Sequence, residues 1–299
     1  MSRPIVTLGV CVRNCASTLS ETIESITIQD YPHELMEVIF VDDGSEDETL
    51  SIIKDYASKM DMKVKIFHHK WRGLGASRNV VVNNAKGKYI IWIDGDMVLP
   101  PDHVRKQIEF MEKNPRVGIG KARYGIIYET TVAFLENIPF VVADLKNELS
   151  SSKLPGTGGA IFRVKAIRQI CGFDERLKGV GEDQDVAYRI RAAGWRIEKT
   201  SAIFFEKRPR SWRKLWRKYF WYGYGNYFLY RKNNMIFRLY KMIPPTMLLA
   251  SLRYSFFAYQ LTRSKVVFLL PLHFVFKSIA WFLGFIKASF QSRTTNSRK

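Results

Sequence analysis

The sequence predicts an α/β fold on a mainly parallel sheet, followed by a basic and apolar C-terminal region. Short β-branched runs alternate with longer segments of helical period, which is typical of βαβ units. Acidic clusters follow the strand-like runs, where ligand sites of such sheets lie. Of 47 Lys and Arg residues, 19 fall after residue 200, where Glu206 is the only acidic residue. With 46% hydrophobic and 14% aromatic residues among 299, global disorder is excluded.

Four buried strands and their connecting helices are predicted in the first hundred residues. Apolar side chains recur on one helical face, as Leu19, Ile23 and Ile26 do. The predicted strands are 5–12, 37–42, 63–67 and 88–94. The predicted helices are 17–28, 46–59, 73–85, 101–113, 163–171 and 182–193.

The cysteines indicate neither a disulfide framework nor a structural zinc site. Cys11, Cys15 and Cys171 are too few and lack the spacing of four zinc ligands. We expect free thiols in a cytosolic protein. The apolar stretch 5–10 is too short for a secretory signal and fits a first strand.

The first acidic cluster, Asp42-Asp43, closes the second predicted strand. One interpretation is a strand-to-helix turn in which Ser45, Glu46 and Asp47 cap the next helix. The other is a pair of carboxylates that accept hydrogen bonds from a nucleobase N–H and a ribose hydroxyl.

The second cluster, Asp94-Gly95-Asp96, ends the most apolar predicted strand. Two carboxylates separated by one glycine can approach the same hard divalent cation, which prefers oxygen ligands. A solvated turn is the alternative. The position favours the cation, because two like charges beside a buried strand are costly without a compensating positive charge.

The third cluster, Glu182-Asp183, opens a predicted helix. Acids in a first helical turn complement the helix dipole, so capping alone explains them. A turn that projects one carboxylate into the same crevice would instead supply a general base.

In this order, the clusters resemble the motifs of the family 2 inverting glycosyltransferases of the GT-A fold. The resemblance covers about residues 4–200 and leaves the remainder loosely matched. The further segments that carry it are Pro4 to Thr7 with Arg13-Asn14, Ser25 to Pro32, Gly73 to Asn79 and Gly156 to Ala160.

For the donor, the resemblance implies a base and ribose pocket formed by Thr7 with Asp42 or Asp43. It places Arg78 near the nucleotide, and it implies that Asp94 contacts the ribose. The expected donor is a nucleotide sugar, with a UDP-sugar favoured.

For catalysis, the resemblance implies that Asp96, with Asp94 beside it, binds Mg²⁺ or Mn²⁺ bridging the donor diphosphate. Asp183 matches the catalytic base, and Glu182 is the second choice, better suited to orienting the acceptor. Gly158 and Gly159 resemble the small-residue loop that lets the backbone approach the donor sugar.

Two departures from the family pattern refine the expected reaction. No histidine lies between His103 and His273, so a late histidine ligand for the metal is missing. The Q-x-x-R-W motif of processive synthases is also missing, although Trp195-Arg196 is present. We therefore expect transfer of one sugar at a time.

The stretch 207–220 combines seven cationic residues with Trp212, Trp216, Tyr219 and Phe220. On a helix these four aromatics share one face, which is typical of a segment lying at an anionic membrane surface. A helix packed on the catalytic domain is the alternative. Nucleic acid is not an expected partner, because no recognition motif is present.

Two apolar segments follow. The segment 243–261 contains Pro244, Pro245 and Arg253 and is a poor membrane span, whereas 266–286 has the length of one. Lys277 inside the second segment makes spanning costly, so a re-entrant or in-plane hairpin remains an alternative. If the pair spans, the cationic flanks Arg231 to Lys241 and Lys287 to Lys299 place both ends in the cytosol.

The sequence thus predicts a catalytic domain at 1–200, an interfacial region at 201–240 and membrane-associated helices at 241–299. The expected protein is membrane-associated with its catalytic domain on the cytoplasmic face. The expected acceptor is a hydroxyl of a lipid-linked or other membrane glycan. A polyprenyl phosphate acceptor, or a non-catalytic nucleotide-sugar-binding scaffold, is the alternative.

Overall fold

The computed structural model describes residues 3–146, 154–177, 180–236, 239 and 244–296. The strands are β1 (Val6–Val12), β2 (Met36–Asp42), β3 (Lys63–His68), β4 (Tyr89–Ile93), β5 (Met97–Val98), β6 (Val117–Tyr124), β7 (Ala160–Arg163) and β8 (Arg196–Glu206). The helices are α1 (Ala16–Thr27), α2 (Thr49–Ala57), α3 (Leu74–Asn84), α4 (His103–Lys113), α5 (Thr131–Leu145), α6 (Val164–Gln169), α7 (Glu182–Ala192), α8 (Trp212–Lys232), α9 (Pro244–Thr262) and α10 (Leu270–Asn296).

The chain divides into two compact units. The sheet unit comprises residues 1–125 and 151–206, and the helical unit comprises 126–150 and 207–299. These limits differ from the predicted boundaries at residues 200 and 240. The first differs because β8 runs on to Glu206. The structure has no boundary near residue 240, because α8, α9 and α10 belong to one unit. That unit also includes α5, which the sequence analysis places in the catalytic domain.

The sheet unit carries one eight-stranded sheet in the order β3-β2-β1-β4-β7-β6-β8-β5. Strands β1 to β4 pair in parallel, and β7 runs antiparallel to both of its neighbours. The predicted α/β fold with a mainly parallel sheet is therefore confirmed, and the four predicted strands agree with β1 to β4 within two residues. The sequence did not predict β6, β7, β8 or α5.

The central strands are mostly apolar because the sheet is covered on both faces, although β2 also buries Glu37 and Asp42. Every residue of β1, β2 and β4 is buried. Alternate residues pack into different clusters, so that Val38 and Phe40 contribute to one core and Ile39 and Val41 to the other. This double cover fixes the register and presents the strand ends as a rigid edge.

In the helical unit, α8 and α10 run parallel and side by side. Trp212 at the start of α8 contacts Phe276, Tyr227 contacts Phe285, and Arg231 near its end donates to Ser292 Oγ at 3.2 Å. Two glycines allow the backbones to touch. A Cβ at Gly223 would overlap the carbonyl oxygen of Trp281, and one at Gly284 would overlap that of Phe220.

The aromatic face of α8 points into the helical unit. Tyr219 is buried, and Trp212 and Trp216 pack against Phe276 of α10 in the core of this unit. Three of the four aromatics of the predicted interfacial face are therefore packed within the helical unit, and contact of this face with a membrane stays a prediction. A period of 3.6 residues marks an apolar face but does not identify what covers it.

A buried ionic cluster joins α5, α8 and α10. Glu136 accepts hydrogen bonds from Tyr219 Oη at 2.7 Å, His273 Nε2 at 2.9 Å and Lys277 Nζ at 3.1 Å. The positive charge of Lys277, which is predicted to make a membrane crossing costly, is therefore paired inside the helical unit.

Lys265–Ser292 is the one segment of the described chain that is long and apolar enough, by length and composition, to cross a membrane. It contains the predicted span 266–286, and α9 does not meet the same criterion. Of the predicted cationic flanks, Arg238, Lys241, Arg298 and Lys299 lie outside the described residues.

We predict that Gly223→Ala destabilises the helical unit. Alanine would strengthen an isolated helix by about 1 kcal/mol, but its Cβ would collide with Trp281, and such overpacking costs about 1–3 kcal/mol. Thermal unfolding of the detergent-solubilised protein should show a lower Tm. Arg217→Ala, at an exposed position of the same helix, is the control and should leave Tm nearly unchanged. An equal Tm for both variants would contradict the glycine crossing.

Candidate active site

The three acidic clusters of the sheet unit lie at the carboxyl edge of its parallel strands. In the β1–β2 register Val12 lies opposite Asp42, and in the β1–β4 register Val10 lies opposite Ile93. Asp42-Asp43 and Asp94-Gly95-Asp96 therefore leave the sheet at the same edge, where open α/β sheets bind ligands.

Asp42 and Asp43 are both buried and shape the loop after β3. Asp42 accepts hydrogen bonds from Ser45 Oγ and, at 2.7 Å, from His68 Nδ1. Asp43 accepts from the backbone N–H groups of Arg72 at 2.7 Å and Gly73 at 3.0 Å. This ties the start of α3 to the end of β2.

Thr7 does not belong to this edge. It lies near the amino-terminal end of β1, is fully buried, and donates to Glu37 Oε1 at 2.7 Å. Its hydroxyl also accepts from the N–H of Gly87 at 3.2 Å. This position corrects the expectation that Thr7 lines the donor pocket. Five residues of strand, about 16 Å, separate Thr7 from Val12 at the carboxyl end of β1.

The turn after β4 presents two carboxylates. A Cβ at Gly95 would lie 2.8 Å from Val12 Cγ1, and the Gly95 carbonyl accepts from Thr18 Oγ1 at 2.6 Å, so the turn is held against β1 and α1. The side chain of Asp94 is 37% exposed and Asp96 is half-buried. Both remain accessible at the edge of the sheet.

These oxygen donors fit a hard divalent cation. Among the residues that the structure describes, no three His, Cys, Asp or Glu side chains converge as a metal-binding group. Asp94 and Asp96 would hold such an ion together with oxygens from a ligand or water. His103 is fully buried and contacts the Ile203 carbonyl oxygen at 2.7 Å.

Arg78 on α3 is the cation at the centre of the site. Its guanidinium donates to Glu182 Oε1 at 2.8 Å and to Asp94 Oδ1 at 3.4 Å, and the side chain is 4% exposed. The rings of Trp92 and Phe173 pack within 6 Å of it. Arg78 therefore positions both carboxylates, and a direct contact between Arg78 and the nucleotide stays a prediction.

Glu182 and Asp183 begin α7, after Gly181 in the left-handed region at φ 92°. Burial and the neighbouring Asp183 raise the pKa of Glu182 to about 7, although Arg78 opposes the shift. Burial also raises the pKa of Asp183, again against Arg78. Asp183 is the more exposed of the two, since Glu182 is only 3% exposed.

A glycine loop separates the two acidic groups. A Cβ at Gly156 would lie 3.0 Å from Asp183 Oδ2, and one at Gly158 would lie 2.7 Å from Asp94 Oδ2. Gly159 has φ 66°, and a Cβ there would collide with the ring of Phe204. The predicted small-residue loop thus lies directly between the D-x-D turn and the start of α7.

Lys121 on β6 belongs to the site and was not predicted from the sequence. Its side chain is buried, and its ammonium group donates to the carbonyl oxygen of Gly158. It also lies near enough to Asp183 to favour the ionised carboxylate. A lone lysine in an unpredicted strand carries no motif, so the sequence offered no signal for it.

We predict that Arg78→Met destabilises the sheet unit in a pH-dependent way. Removing the cation leaves buried Glu182 without its partner, which costs about 3–5 kcal/mol. In the wild type, Glu182 takes up a proton as the pH falls through about 7, so the ion pair is lost anyway. Urea unfolding should therefore show a larger deficit at about pH 8 than at about pH 5.5.

The matched control is Arg105→Met. Arg105 also contacts two carboxylates, Asp30 at 2.9 Å and Glu109 at 3.4 Å, but on the surface. Little change is expected, because solvent screens exposed pairs. A deficit for Arg78→Met that is the same at both pH values would contradict the buried pairing.

Residues 7–171 match the model of glycosyl transferase family 2. The putative glycosyltransferase EpsE of Bacillus subtilis (strain 168) is 31% identical over 216 residues, which cover 70% of this chain and 75% of EpsE. Other curated relatives are longer, and the matches span 29% or 17% of their length.

Solved structures of similar fold were also found. The mannosyltransferase PcManGT from Pyrobaculum calidifontis, in complex with GDP-Man and Mn²⁺, superposes with a TM-score of 0.69 at 19% identity, covering 97% of this chain and 88% of that one. S. aureus TarS 1-349 in complex with UDP-GlcNAc gives 0.51 at 17% identity, covering 96% and 92%. These likenesses show the GT-A fold.

The family match covers more than half of the chain and includes the first two acidic clusters of the site. EpsE aligns over most of both chains. The chain is a transferase enzyme that belongs to glycosyltransferase family 2.

Proposed function

We propose that the protein transfers a single sugar, with inversion, from a nucleotide-sugar donor to a hydroxyl group of a membrane acceptor. The observation that carries the proposal is the glycine loop, which has Asp183 on one side and Asp94 on the other. A sugar beside this loop would lie between a general base and the carboxylates that suit a donor diphosphate. A divalent cation, Mg²⁺ or Mn²⁺, completes the proposed active site.

Asp183 is the proposed base. A hydroxyl is a poor nucleophile near neutral pH, so a carboxylate must accept its proton as it attacks the anomeric carbon. The raised pKa of Asp183 makes it a stronger base than an exposed aspartate. Oδ1 of Asp183 accepts from the N–H of Gln184 at 2.7 Å, which orients the group.

Glu182 suits a supporting role. Its Oε1 is held by Arg78, and the residue is almost fully buried. The remaining oxygen, Oε2, makes no hydrogen bond in the structure. We propose that Glu182 positions Arg78 and the first turn of α7 and does not take the proton itself.

The leaving group is a nucleoside diphosphate. A bound Mg²⁺ or Mn²⁺ would neutralise the charge that develops on it. Asp96 and Asp94 would hold the ion, while Asp42 and Asp43 would line the nucleotide pocket. PcManGT binds GDP-Man with Mn²⁺ and TarS binds UDP-GlcNAc, which supports a diphosphate donor. A UDP-sugar is our first choice.

The proposed acceptor is a lipid-linked or other membrane glycan. The segment Lys265–Ser292 supports membrane association, and cytosolic nucleotide sugars favour the cytoplasmic face for the sheet unit. A polyprenyl phosphate is the alternative acceptor, but it is already ionised and would need no base. A non-catalytic scaffold would release no nucleoside diphosphate from any donor in the presence of Mn²⁺.

We predict that Asp183→Asn lowers kcat by about 10²–10⁴-fold, the usual contribution of a general base. Donor affinity should stay unchanged, because the substitution keeps the shape of the side chain. Transfer assays with a panel of nucleotide sugars, with donor binding measured separately, provide the test. Glu182→Gln is the matched comparison and should reduce kcat less. Full turnover by Asp183→Asn would remove Asp183 as the base.

We predict that Asp96→Ala abolishes metal-dependent binding of UDP. The carboxylate is a proposed ligand of the cation, and without the cation the diphosphate keeps its full charge. Calorimetric titration of UDP with and without Mn²⁺ measures this effect. Asp55→Ala, which removes a surface carboxylate paired with Lys59, is the control. Binding that responds to Mn²⁺ equally in both variants would refute the metal assignment.

A further inference from the structure

The helix α10 buries polar side chains and exposes large apolar ones. His273, Lys277 and Ser278 are buried, with 5% exposure at most, beside apolar residues such as Trp281. Large apolar residues recur on the exposed side over five turns, at spacings of three, four and seven residues. We call this set the outer face of α10: Leu272, Ile279, Phe282, Leu283 and Phe290, each 40–62% exposed.

The buried side is fixed by the ionic cluster. Lys277 and His273 reach Glu136 from the same side of α10, and a carboxylate buried among helices requires these partners. If α10 were rotated so that its outer face became buried, His273 and Lys277 would lose their contacts with Glu136. The outer face therefore stays exposed in the folded unit. Water is a poor environment for a contiguous apolar face of this size.

Helix α9 extends the apolar surface. Its exposed residues Leu248, Leu249, Leu252 and Phe256 recur at helical spacing, together with exposed Arg253 and Gln260, while Ser251 and Ser255 are buried. Two consecutive helices thus bury polar side chains and expose large apolar ones. Large exposed apolar residues beside cations fit a lipid interface better than bulk water.

A crossing of the membrane by α10 conflicts with its neighbour α8. The middle of Lys265–Ser292 falls near Ser278. Trp212, the first residue of α8, lies at this level, with its ring 5.7 Å from that of His273 and 5.0 Å from that of Phe276. A perpendicular α10 would therefore place the start of the parallel helix α8 at the centre of the bilayer.

The start of α8 is unsuited to the centre of a bilayer. Arg213, Lys214 and Arg217 are all exposed there, and charged side chains at that depth are costly. The preceding residues 207–211 are not helical. Irregular backbone in contact with lipid tails would leave polar groups without partners.

Exposed cations border the outer face. Arg263 and Lys265 lie in the turn before α10, and Lys287 lies on its exposed side towards the other end. Anionic headgroups attract cations that lie beside an embedded apolar helix. The surface therefore has both components of an interfacial binding site.

We propose that the outer face of α10, extended by α9, is embedded in one leaflet of an anionic membrane, with α10 lying in the plane of that leaflet and not crossing it. The inference specifies the membrane association proposed above and is independent of the transfer chemistry. An inactive Asp183→Asn protein would bind the membrane equally well.

Vesicle partition tests the surface. Full-length protein is mixed with phosphatidylcholine vesicles with or without phosphatidylglycerol, and the bound fraction is measured by flotation. The double variant Phe282→Ser with Leu283→Ser should partition at least about tenfold more weakly. The control pair, Ile28→Ser with Ile66→Ser, removes exposed apolar residues of the sheet unit and should bind like wild type.

Equal partition of both pairs would overturn the proposal. The proposal would also be overturned if the wild type were a dimer and the double variant a monomer that binds vesicles normally. The outer face would then contact a second copy of the chain. The variants should melt like wild type in detergent, since the changed side chains lie outside the core. Binding that does not increase with phosphatidylglycerol would refute the role of the cations.

Topology is tested with cysteines at the two ends of the segment. Lys265→Cys and Ser292→Cys are made in full-length protein carrying Cys171→Ser, which removes the exposed native thiol. Spheroplasts that express each variant are treated with a membrane-impermeant maleimide. An in-plane helix predicts that both cysteines react only after lysis. Reaction of either one in intact spheroplasts would show a crossing and overturn the in-plane arrangement.

Discussion

Two carboxylates reach the guanidinium of Arg78 from distant parts of the chain, Glu182 from 104 residues away and Asp94 from 16. A buried cation is tolerated only when its charge is met, so α3, the turn after β4 and the start of α7 must come together around it. This pairing also sets where Asp183 and Asp96 stand, because each lies within two residues of a carboxylate that Arg78 binds. It also allows Glu182 to remain buried beside another acid. The geometry of the site therefore depends on one buried side chain.

The parallel half of the sheet was predictable because apolar residues dominate β1, β2 and β4, and because β3 alternates lysine with apolar residues. Strands β1 and β4 are covered on both faces, which gives the sequence its clearest signal. The other half gave no such signal. Strand β7 has only four residues, β6 contains Gly118, Gly120 and Lys121, and β8 alternates buried with exposed residues. Register shifts between β6 and β8 further disturb the pattern.

The site residues were predictable as far as local motifs reach. The D-x-D turn and the start of α7 carry their chemistry in consecutive residues, so their place at a strand or helix end follows from the sequence. Thr7 was assigned to the correct strand, but it lies at the end of β1 that is opposite to the site. Arg78 was placed in the correct region, but its partners come from elsewhere in the chain and only the structure identifies them. Lys121 depends on a contact with Gly158, which no sequence pattern indicates.

The cluster around Glu136 also constrains how the protein is made. The carboxylate precedes its partners His273 and Lys277 by 137 and 141 residues. At about 5–20 residues per second, ribosomal synthesis needs roughly 7–28 s to reach Lys277 after Glu136. During this interval Glu136 on α5 lacks its partners on α10, whereas β1 to β4 have already been synthesised. The helical unit therefore assembles only after α10 has been synthesised.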